Sequence, residues 1–348
     1  MYELINMKRV LQYIFIEAIC LLSLFLSVGC SKEAAVMDDA ENALVRIELK
    51  FDTAEYVYDG KEVIGTSSAD IAGNVANGDC VRYIVRVYPA SKIPTRKNCI
   101  KEIVLNRNIS DGYEFGFDME IVPGNYDIMV WSDIVTNGMP TYDAEDFTEI
   151  VLSGNHDGNN ASAYAYRGRA TVSSSDFSAE ESPATIEITM QRPLAKFEMV
   201  ANDLLQFIER ESEKMSDGET DALTVNLDDY TVVFYYVGFM PDTYSFYKDR
   251  PVDSSTGVCF ESKINVLNDY EASLGFDYVF VNEKESAVTV RVGIYDKKNE
   301  LVALTSSIKV PLMRGHHTLL RNAYLSAKKT DGIIIDTGYN GNFNLIFK

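Results

Sequence analysis

The chain has 348 residues, with 52 acidic against 32 basic side chains and a formal net charge of −20 at pH 7. This charge argues against a nucleic-acid-binding protein and against broad electrostatic adhesion to anionic lipid, because phosphate groups are bound by Lys and Arg. The length is comfortable for two domains of about 150 residues each.

The first element in chain order is a candidate export signal. The basic stretch MKRV at 7–10 precedes a nearly uncharged run, LQYIFIEAICLLSLFLSV, at 11–28. A basic region followed by an apolar one is typical of a secretory signal peptide. The segment LSVGC, which ends at Cys30, resembles the bacterial lipobox, where signal peptidase II cleaves before the cysteine. We therefore predict a signal peptide over 1–29 and a lipoprotein with acyl chains such as palmitate on Cys30. The alternative is a transmembrane anchor that ends in a free cysteine.

Strand patterns dominate the first half of the mature chain. Residues 30–43 are small and acidic and are expected to form a flexible tether. Apolar and polar side chains then alternate in LVRIELKF at 44–51, which is the period of a half-buried strand. Further strand patterns, separated by Pro-Gly-Asn, Asp-Gly and Asn-Gly turn signals, lie at 81–89, 99–106, 113–121, 126–135 and 184–202, the last interrupted at Pro193.

The second half shows one helical pattern among further strands. The stretch NDLLQFIERESEKM predicts a helix over 203–214, with Asn202 as a candidate cap. Strand patterns follow at 230–239, 287–296, 301–312 and 316–327. Short strands separated by turns are typical of all-β sandwiches. We predict one β-sandwich over 44–190 and a second over 191–348 that ends in a strand tail, with at most one or two short helices.

An ordered set of phrases runs through the mature chain. The phrases are RYIVRVYP, PGNYDIMVWSDIV, RPLAKFEMVANDL and VPLMRGHHTLLRNAYLS, and the last is followed by DGIIIDTGYNGNFNLIF. Together they resemble the fimbrillin-like lipoproteins of Bacteroidales, a superfamily of type V pilus subunits and their anchor proteins. The sequence is most similar to the branch described as a domain of unknown function, DUF6562.

The resemblance implies a fold, a location and partners. The fold would be two transthyretin-like β-sandwich domains in tandem. The protein would belong to a fimbrium, or pilus, or act in cell adhesion at the outer membrane. Its partners would be other fimbrial subunits or secreted surface proteins, joined by exchange of β-strands. Such exchange is physically reasonable because an open strand edge is a template for another chain.

The resemblance also implies a test for cleavage. Polymerising subunits of this superfamily are cut after a basic residue near the amino terminus, which frees them from lipid and opens a groove, whereas an anchor keeps its lipid. Lys32 lies in the tether, and Arg46 and Lys50 lie on the polar face of the first predicted strand. Lys61, in the polar and Gly-rich stretch YDGKEVIGTSSADIAGN, is the candidate maturation site. We predict an anchor or accessory role ahead of a polymerising one.

Candidate catalytic and metal-binding residues are few. Adjacent residues of a strand point to opposite faces, so His316 and His317 are not expected to act as a pair. His156 is expected in a solvated polar loop, SGNHDGNNAS, which lacks the EF-hand pattern of calcium ligands. Trp131 is expected to pack within a strand, and Asp133 to lie at a strand end or turn. Nucleophile-elbow, P-loop, HExxH and GxGxxG motifs are missing, so we predict a protein that is not an enzyme and uses no metal or cofactor.

An aromatic-rich stretch in the second half supports an alternative function. Its members are Tyr235, Tyr236, Tyr244, Phe246 and Tyr247. Exposed aromatic side chains bind sugars and protein partners, so these residues would let a surface lipoprotein bind a glycan or another host ligand. The other interpretation is packing within strands, where aromatic residues are enriched.

The cysteines say little about covalent structure. Besides Cys30, the mature chain has Cys80, Cys99 and Cys259, and an odd number does not suggest a disulfide framework. A Cys80–Cys99 bridge stays open in an oxidising compartment. No Cys or His spacing suggests a zinc site.

Overall fold

The computed structural model describes residues 42–58, 63–68, 79–108, 111–112, 114–177, 184–216, 225–283 and 286–327. The predicted signal peptide, Cys30, most of the tether, Lys61 and the C-terminal strand tail lie outside the described residues.

The described chain is dominated by strands, which confirms the all-β prediction. The strands before residue 191 are β1 (Ala43–Phe51), β2 (Ala54–Tyr58), β3 (Val63–Ser68), β4 (Cys80–Pro89), β5 (Lys101–Asn108), β6 (Phe115–Ile121), β7 (Tyr126–Thr136), β8 (Met139–Pro140), β9 (Tyr142–Asp143), β10 (Ile150–Leu152), β11 (Ala165–Val172) and β12 (Ala184–Met190). Those that follow are β13 (Leu194–Ala201), β14 (Thr231–Tyr236), β15 (Phe239–Ser245), β16 (Arg250–Thr256), β17 (Cys259–Ser262), β18 (Asn265–Val266), β19 (Ala272–Phe280), β20 (Ser286–Tyr295), β21 (Leu301–Leu304), β22 (Ile308–Leu312) and β23 (His316–Asn322). Within the described ranges, the one α-helix is α1 (Leu204–Ser216).

The strands form sheets whose neighbours are mostly antiparallel. The orders are β12-β1-β6, β16-β15-β10-β9, β11-β7-β4-β5 with β8 on β7, β18-β19-β13-β23-β2-β3, and β17-β14-β20-β21 with β22 on β20. Parallel pairs join β1 to β12, β13 to β23 and β2 to β23.

The chain divides into two compact units. One consists of residues 1–43 and 120–123, of which the structure describes 42–43 and 120–123, at the start of β1 and around the end of β6. The other consists of residues 44–119 and 124–348. The predicted sandwich boundary near residue 190 is a different division and stays a prediction.

The described residues of the larger unit include the following two hydrophobic cores. One is built entirely from residues after 194, including Phe197, Phe207 and Phe234, all with no exposed side-chain surface. The other packs Trp131 against Tyr142 and Tyr244, at ring-centroid distances of 5.7 and 6.3 Å. The second core, and the pairing of β10 with β15, bring together residues from both sides of residue 190. Trp131 is therefore a packed strand residue, as predicted.

Helix α1 forms where its pattern predicts it, but its start differs. The pattern predicts a helix over 203–214, and the helix spans Leu204–Ser216. The predicted cap, Asn202, instead continues the strand pairing, because its amide donates to a carbonyl at the end of β23 over 3.0 Å. The next residue, Asp203, is buried and accepts a hydrogen bond from the amide of Ser326 over 2.7 Å. This contact ties the start of the helix to the chain after β23.

Candidate functional site

Strand β1 is the central strand of its sheet, between β12 and β6. It runs parallel to β12, with paired residues from Val45 opposite Ala184 to Phe51 opposite Met190. Its inward side chains are fully buried: Val45, Ile47 and Leu49 are 1%, 0% and 1% exposed. On the opposite face Arg46 forms an exposed ion pair with Asp118 over 3.0 Å. β1 therefore contributes main-chain hydrogen bonds and alternate apolar side chains, which are the two features that an exchanged strand supplies.

A cleft of about 1080 Å³ forms a second candidate site. Residues of β8, β9, β10, β15 and β19 line it, together with the loop 153–163 between β10 and β11. Its walls carry Asp157, Asp242, Asp277 and His156, and none of its described lining residues is Lys or Arg. The cleft is therefore acidic, with one histidine.

His156 is paired rather than solvated, which corrects the sequence-based expectation. Its side chain is 16% exposed and its Nε2 lies 2.5 Å from Oδ2 of Asp277. Oδ2 of Asp277 also accepts a hydrogen bond from the hydroxyl of Tyr236. The other oxygen of Asp277, Oδ1, accepts a hydrogen bond from the amide of Tyr278 over 2.8 Å. The buried carboxylate of Asp277 thus has three donors. Because 121 residues separate His156 from Asp277, no local pattern could have indicated this pair.

The environment of His156 favours its charged form. Burial lowers the pKa of His156, but the hydrogen bond to Asp277 and the charges of Asp277, Asp157 and Asp242 outweigh burial and raise the pKa above its ordinary value. Burial raises the pKa of Tyr236 well above its ordinary value, and the Asp277 charge adds to the effect. Tyr236 is therefore a neutral donor at physiological pH.

The five aromatic residues proposed for ligand contact do not form one exposed surface. Three are buried core residues, at 4%, 0% and 3% exposure: Tyr236, Tyr244 and Phe246. Tyr236 belongs to one core, whereas Tyr244 and Phe246 belong to the other. Tyr235 is half-buried and Tyr247 is 37% exposed. The burial of three residues agrees with the packing interpretation, so we do not propose a glycan or host-ligand platform built from this stretch.

His316 and His317 have separate partners. The His316 ring stacks on Tyr56 at a centroid distance of 5.0 Å. The Nε2 of His317 lies 3.2 Å from an oxygen of Glu198. Neighbouring side chains of β23 therefore contact different groups, as expected from strand geometry.

Asp133 lies within strand β7 and not at its end or in a turn, so that expectation was wrong. Its fully buried carboxylate accepts two hydrogen bonds from Arg82, over 2.8 and 2.7 Å, and one from the amide of Tyr142 over 3.2 Å. Burial raises the pKa of Asp133, and the hydrogen bonds and charge of Arg82 act against that rise. The arrangement is a structural ion pair inside the fold.

The strand register excludes the disulfide that the sequence left open. Cys80 begins β4 opposite Asn108, whereas Cys99 precedes β5, whose Lys101 lies opposite Val87. The two cysteines are at opposite ends of this hairpin, about 25–30 Å apart at about 3.3 Å per residue. A disulfide needs Cα atoms within about 7 Å, and both thiols are free.

The described ranges contain no group of three or more His, Cys, Asp or Glu side chains arranged to hold a metal ion. No helix among the described residues is both long enough and apolar enough to cross a membrane.

Comparison with known proteins identifies a family. The chain matches a family of unknown function, DUF6562, over residues 38–347. None of the curated proteins matches it significantly.

Several solved structures are similar at low identity. A candidate adhesin from Bacteroides ovatus is 14% identical, with 81% of this chain and 87% of that chain covered and a TM-score of 0.41. The fimbrial anchor protein Mfa2 from Porphyromonas gingivalis is 11% identical, with 76% and 82% covered and a TM-score of 0.35. A fimbrial assembly protein from Parabacteroides distasonis is 10% identical, with 80% and 90% covered and a TM-score of 0.33.

The family match covers nearly all of the chain beyond the predicted signal peptide and tether, and it includes every phrase on which the sequence resemblance rests. This protein therefore belongs to the DUF6562 family.

Proposed function

We propose that this protein is a lipid-anchored component of a type V pilus at the cell surface, in an anchor or accessory position, and that it joins neighbouring subunits by β-strand exchange. The observation that carries the proposal is the place of β1, an amino-terminal strand at the centre of a sheet with its apolar side chains fully buried. The lipobox-like segment and the ordered phrases of the sequence support the surface location and the fimbrial context.

Strand exchange has a physical basis in β1. Removing it would leave backbone N–H and C=O groups of β12 and β6 unpaired and would open the space that Val45, Ile47 and Leu49 fill. Each of these side chains contributes about 1.5–3 kcal/mol through burial. A donor strand must therefore present apolar side chains at alternate positions. In the carboxy-terminal sequence Phe343, Leu345 and Phe347 are apolar residues at alternate positions; of the two residues between them, Asn344 is polar and Ile346 is apolar.

We expect a peptide of residues 42–58 to replace its own segment in a cleaved chain. The chain would carry an engineered protease site at 59–62 and, after cleavage, would be incubated with labelled peptide in mild denaturant. Peptide with Ile47→Asp should bind at least about 100-fold more weakly, because it loses apolar burial and places a charge in the core. Size-exclusion chromatography measures whether labelled peptide replaces the segment in the cleaved chain, and fluorescence anisotropy measures the affinity of each peptide.

Peptide with Glu48→Gln is the matched control, because Glu48 lies on the opposite face of β1 and this change should leave affinity nearly unchanged. Equal binding of the Ile47→Asp peptide and the unmodified peptide would argue against a specific groove. Failure of the unmodified peptide to bind folded, cleaved chain would reject strand exchange at β1.

We expect mature protein in assembled surface material to begin at an acylated Cys30, which is the result for an anchor or accessory subunit. Mass spectrometry of the amino-terminal peptide measures this directly. Cys30→Ala should abolish lipid labelling and leave a longer precursor, whereas Lys61→Gln should change neither the amino terminus nor assembly. An amino terminus just after Lys61 in assembled material would instead identify a polymerising subunit.

A further inference from the structure

The loop 153–163 lies on strand β19 as though it were a short additional strand. The amide of Asn159 donates to the carbonyl of Phe276 over 2.8 Å. In return, the Asn159 side-chain oxygen accepts a hydrogen bond from the amide of Phe276 over 2.9 Å. One asparagine thus uses its backbone and its side chain to satisfy both groups of one strand residue, and it holds the loop against the strand.

The loop is also a wall of the acidic cleft. Most of its residues line the cleft, and the facing walls come from β15 and β19. Its ends connect to β10 and β11, which precede residue 190, whereas β19 follows it. Undocking of this loop would therefore widen the cleft and release one of the contacts between these strands.

One titratable residue of the loop is part of the docked surface. His156 reaches the buried carboxylate of Asp277 on β19, and it lies three residues before Asn159 along the loop. The other charged groups that face it are Asp157 on its own loop and Asp242 on β15. The rings of Tyr236 on β14 and Phe260 on β17 lie edge-on to it, at centroid distances of 5.9 and 6.2 Å.

We propose that His156 is a pH-sensitive latch that holds the loop 153–163 closed on β19 and so controls access to the acidic cleft. Protonated His156 forms a charge-assisted hydrogen bond with Asp277, which is stronger than the bond from a neutral ring. When the ring loses its charge, a neutral His156 can still donate from Nε2, but the bond to the buried Asp277 carboxylate loses its charge assistance, while the contacts with Tyr236 and the Tyr278 amide are unchanged. The loop then docks less firmly.

The direction of the pH effect follows from the surroundings of His156. Its pKa in the docked state is raised, chiefly because bonding to Asp277 outweighs the effect of burial. A group whose pKa is raised in the docked state stabilises docking fully at pH values below its free pKa, which is about 6.5 for histidine. This stabilisation is lost as the pH rises through the docked-state pKa. The latch is therefore closed in mildly acidic conditions and loosens in alkaline ones.

Hydrogen exchange of the Asn159 and Phe276 amides tests the proposal in the folded chain. Between pH 5.5 and 8.5 we expect their protection factors, corrected for intrinsic exchange rates, to fall about threefold to tenfold, because the bond from His156 to Asp277 loses its charge assistance over this range. Amides of β7 in the core should not follow this change. In His156→Gln the two protection factors should be low at both pH values.

Matched variants separate the latch from other effects of pH. His316→Gln removes one of the other two histidines and should leave the pH dependence intact. Tyr236→Phe removes a hydrogen bond to the same oxygen of Asp277 but keeps the titrating group, so the pH dependence should persist.

Protection that does not change with pH in the wild type would overturn the proposal, as would loss of the pH dependence in His316→Gln. If His156→Gln does not fold, the pKa of His156 is measured by NMR titration of the wild-type chain. A measured pKa clearly above 6.5 supports the latch, and one at or below 6.5 rejects it.

Discussion

Replacing Arg82 with Met is expected to lower the free energy of unfolding by about 3–5 kcal/mol, because removal of one partner leaves a buried charge uncompensated. Arg82 donates two hydrogen bonds to Asp133 and a third, over 2.8 Å, to the carbonyl of Tyr142. The Asp133 side chain has no exposed surface, so water cannot replace these contacts. Urea denaturation followed by circular dichroism measures the loss.

The loss should shrink as the pH falls. Without Arg82 the pKa of Asp133 is raised further by burial, and protonation of the carboxyl removes the buried charge. Stability of the Arg82→Met variant should therefore recover, relative to the wild type, as the pH falls through that raised value.

Arg46→Met is the matched control for an exposed ion pair. The side chains of Arg46 and Asp118 are 41% and 48% exposed, and pairs of this kind contribute about 0–1 kcal/mol. An Arg82→Met variant no less stable than Arg46→Met would show that the Arg82–Asp133 pair is not needed for stability.

Gly158→Ala is expected to lower the free energy of unfolding by about 2–5 kcal/mol, the second large effect. Gly158 has a φ of +58°, where a side chain costs about 1–2 kcal/mol. A Cβ atom there would lie 2.2 Å from a carbon of the Phe260 ring, so the ring or the loop must move, and such overpacking costs typically about 1–3 kcal/mol. Thermal denaturation and hydrogen exchange at Asn159 measure the global and the local loss.

Gly154→Ala provides the control within the same loop. Its φ is +88°, but a Cβ atom added there would have no neighbouring atom within 4 Å, so only the backbone cost remains. We expect a loss of about 1–2 kcal/mol and preserved protection of the Asn159 amide. Equal effects of the two substitutions would show that the Phe260 contact does not position the loop.

Much of the fold could be predicted because strand and turn signals are local. The strands predicted at 44–51 and at 126–135 correspond to β1 and β7 to within one residue at each end. Breaks inside predicted strands were harder to place, since 230–239 is divided at Val237 and Gly238, where Gly238 adopts a φ of +98°. The family also followed from the sequence, because the order of its phrases can be read without any knowledge of their contacts.

The candidate sites depended on tertiary structure. Alternation shows that one face of β1 is buried, but not that β1 lies parallel to β12, about 140 residues along the chain. Aromatic residues at 235–247 could serve the surface or the core, and the structure buries three of them in two different hydrophobic cores.

The sequence by itself therefore determined the alternating strands, the acidic character, the candidate lipid attachment and the family. Only the tertiary structure decided that His156 pairs with Asp277 and that Arg82 pairs with Asp133. It also decided that Cys80 and Cys99 are far apart. The reason is physical: periodicity is set by neighbouring residues, whereas hydrogen-bonded charge pairs are set by strand register between distant segments. The residues around each position in the sequence do not indicate that register.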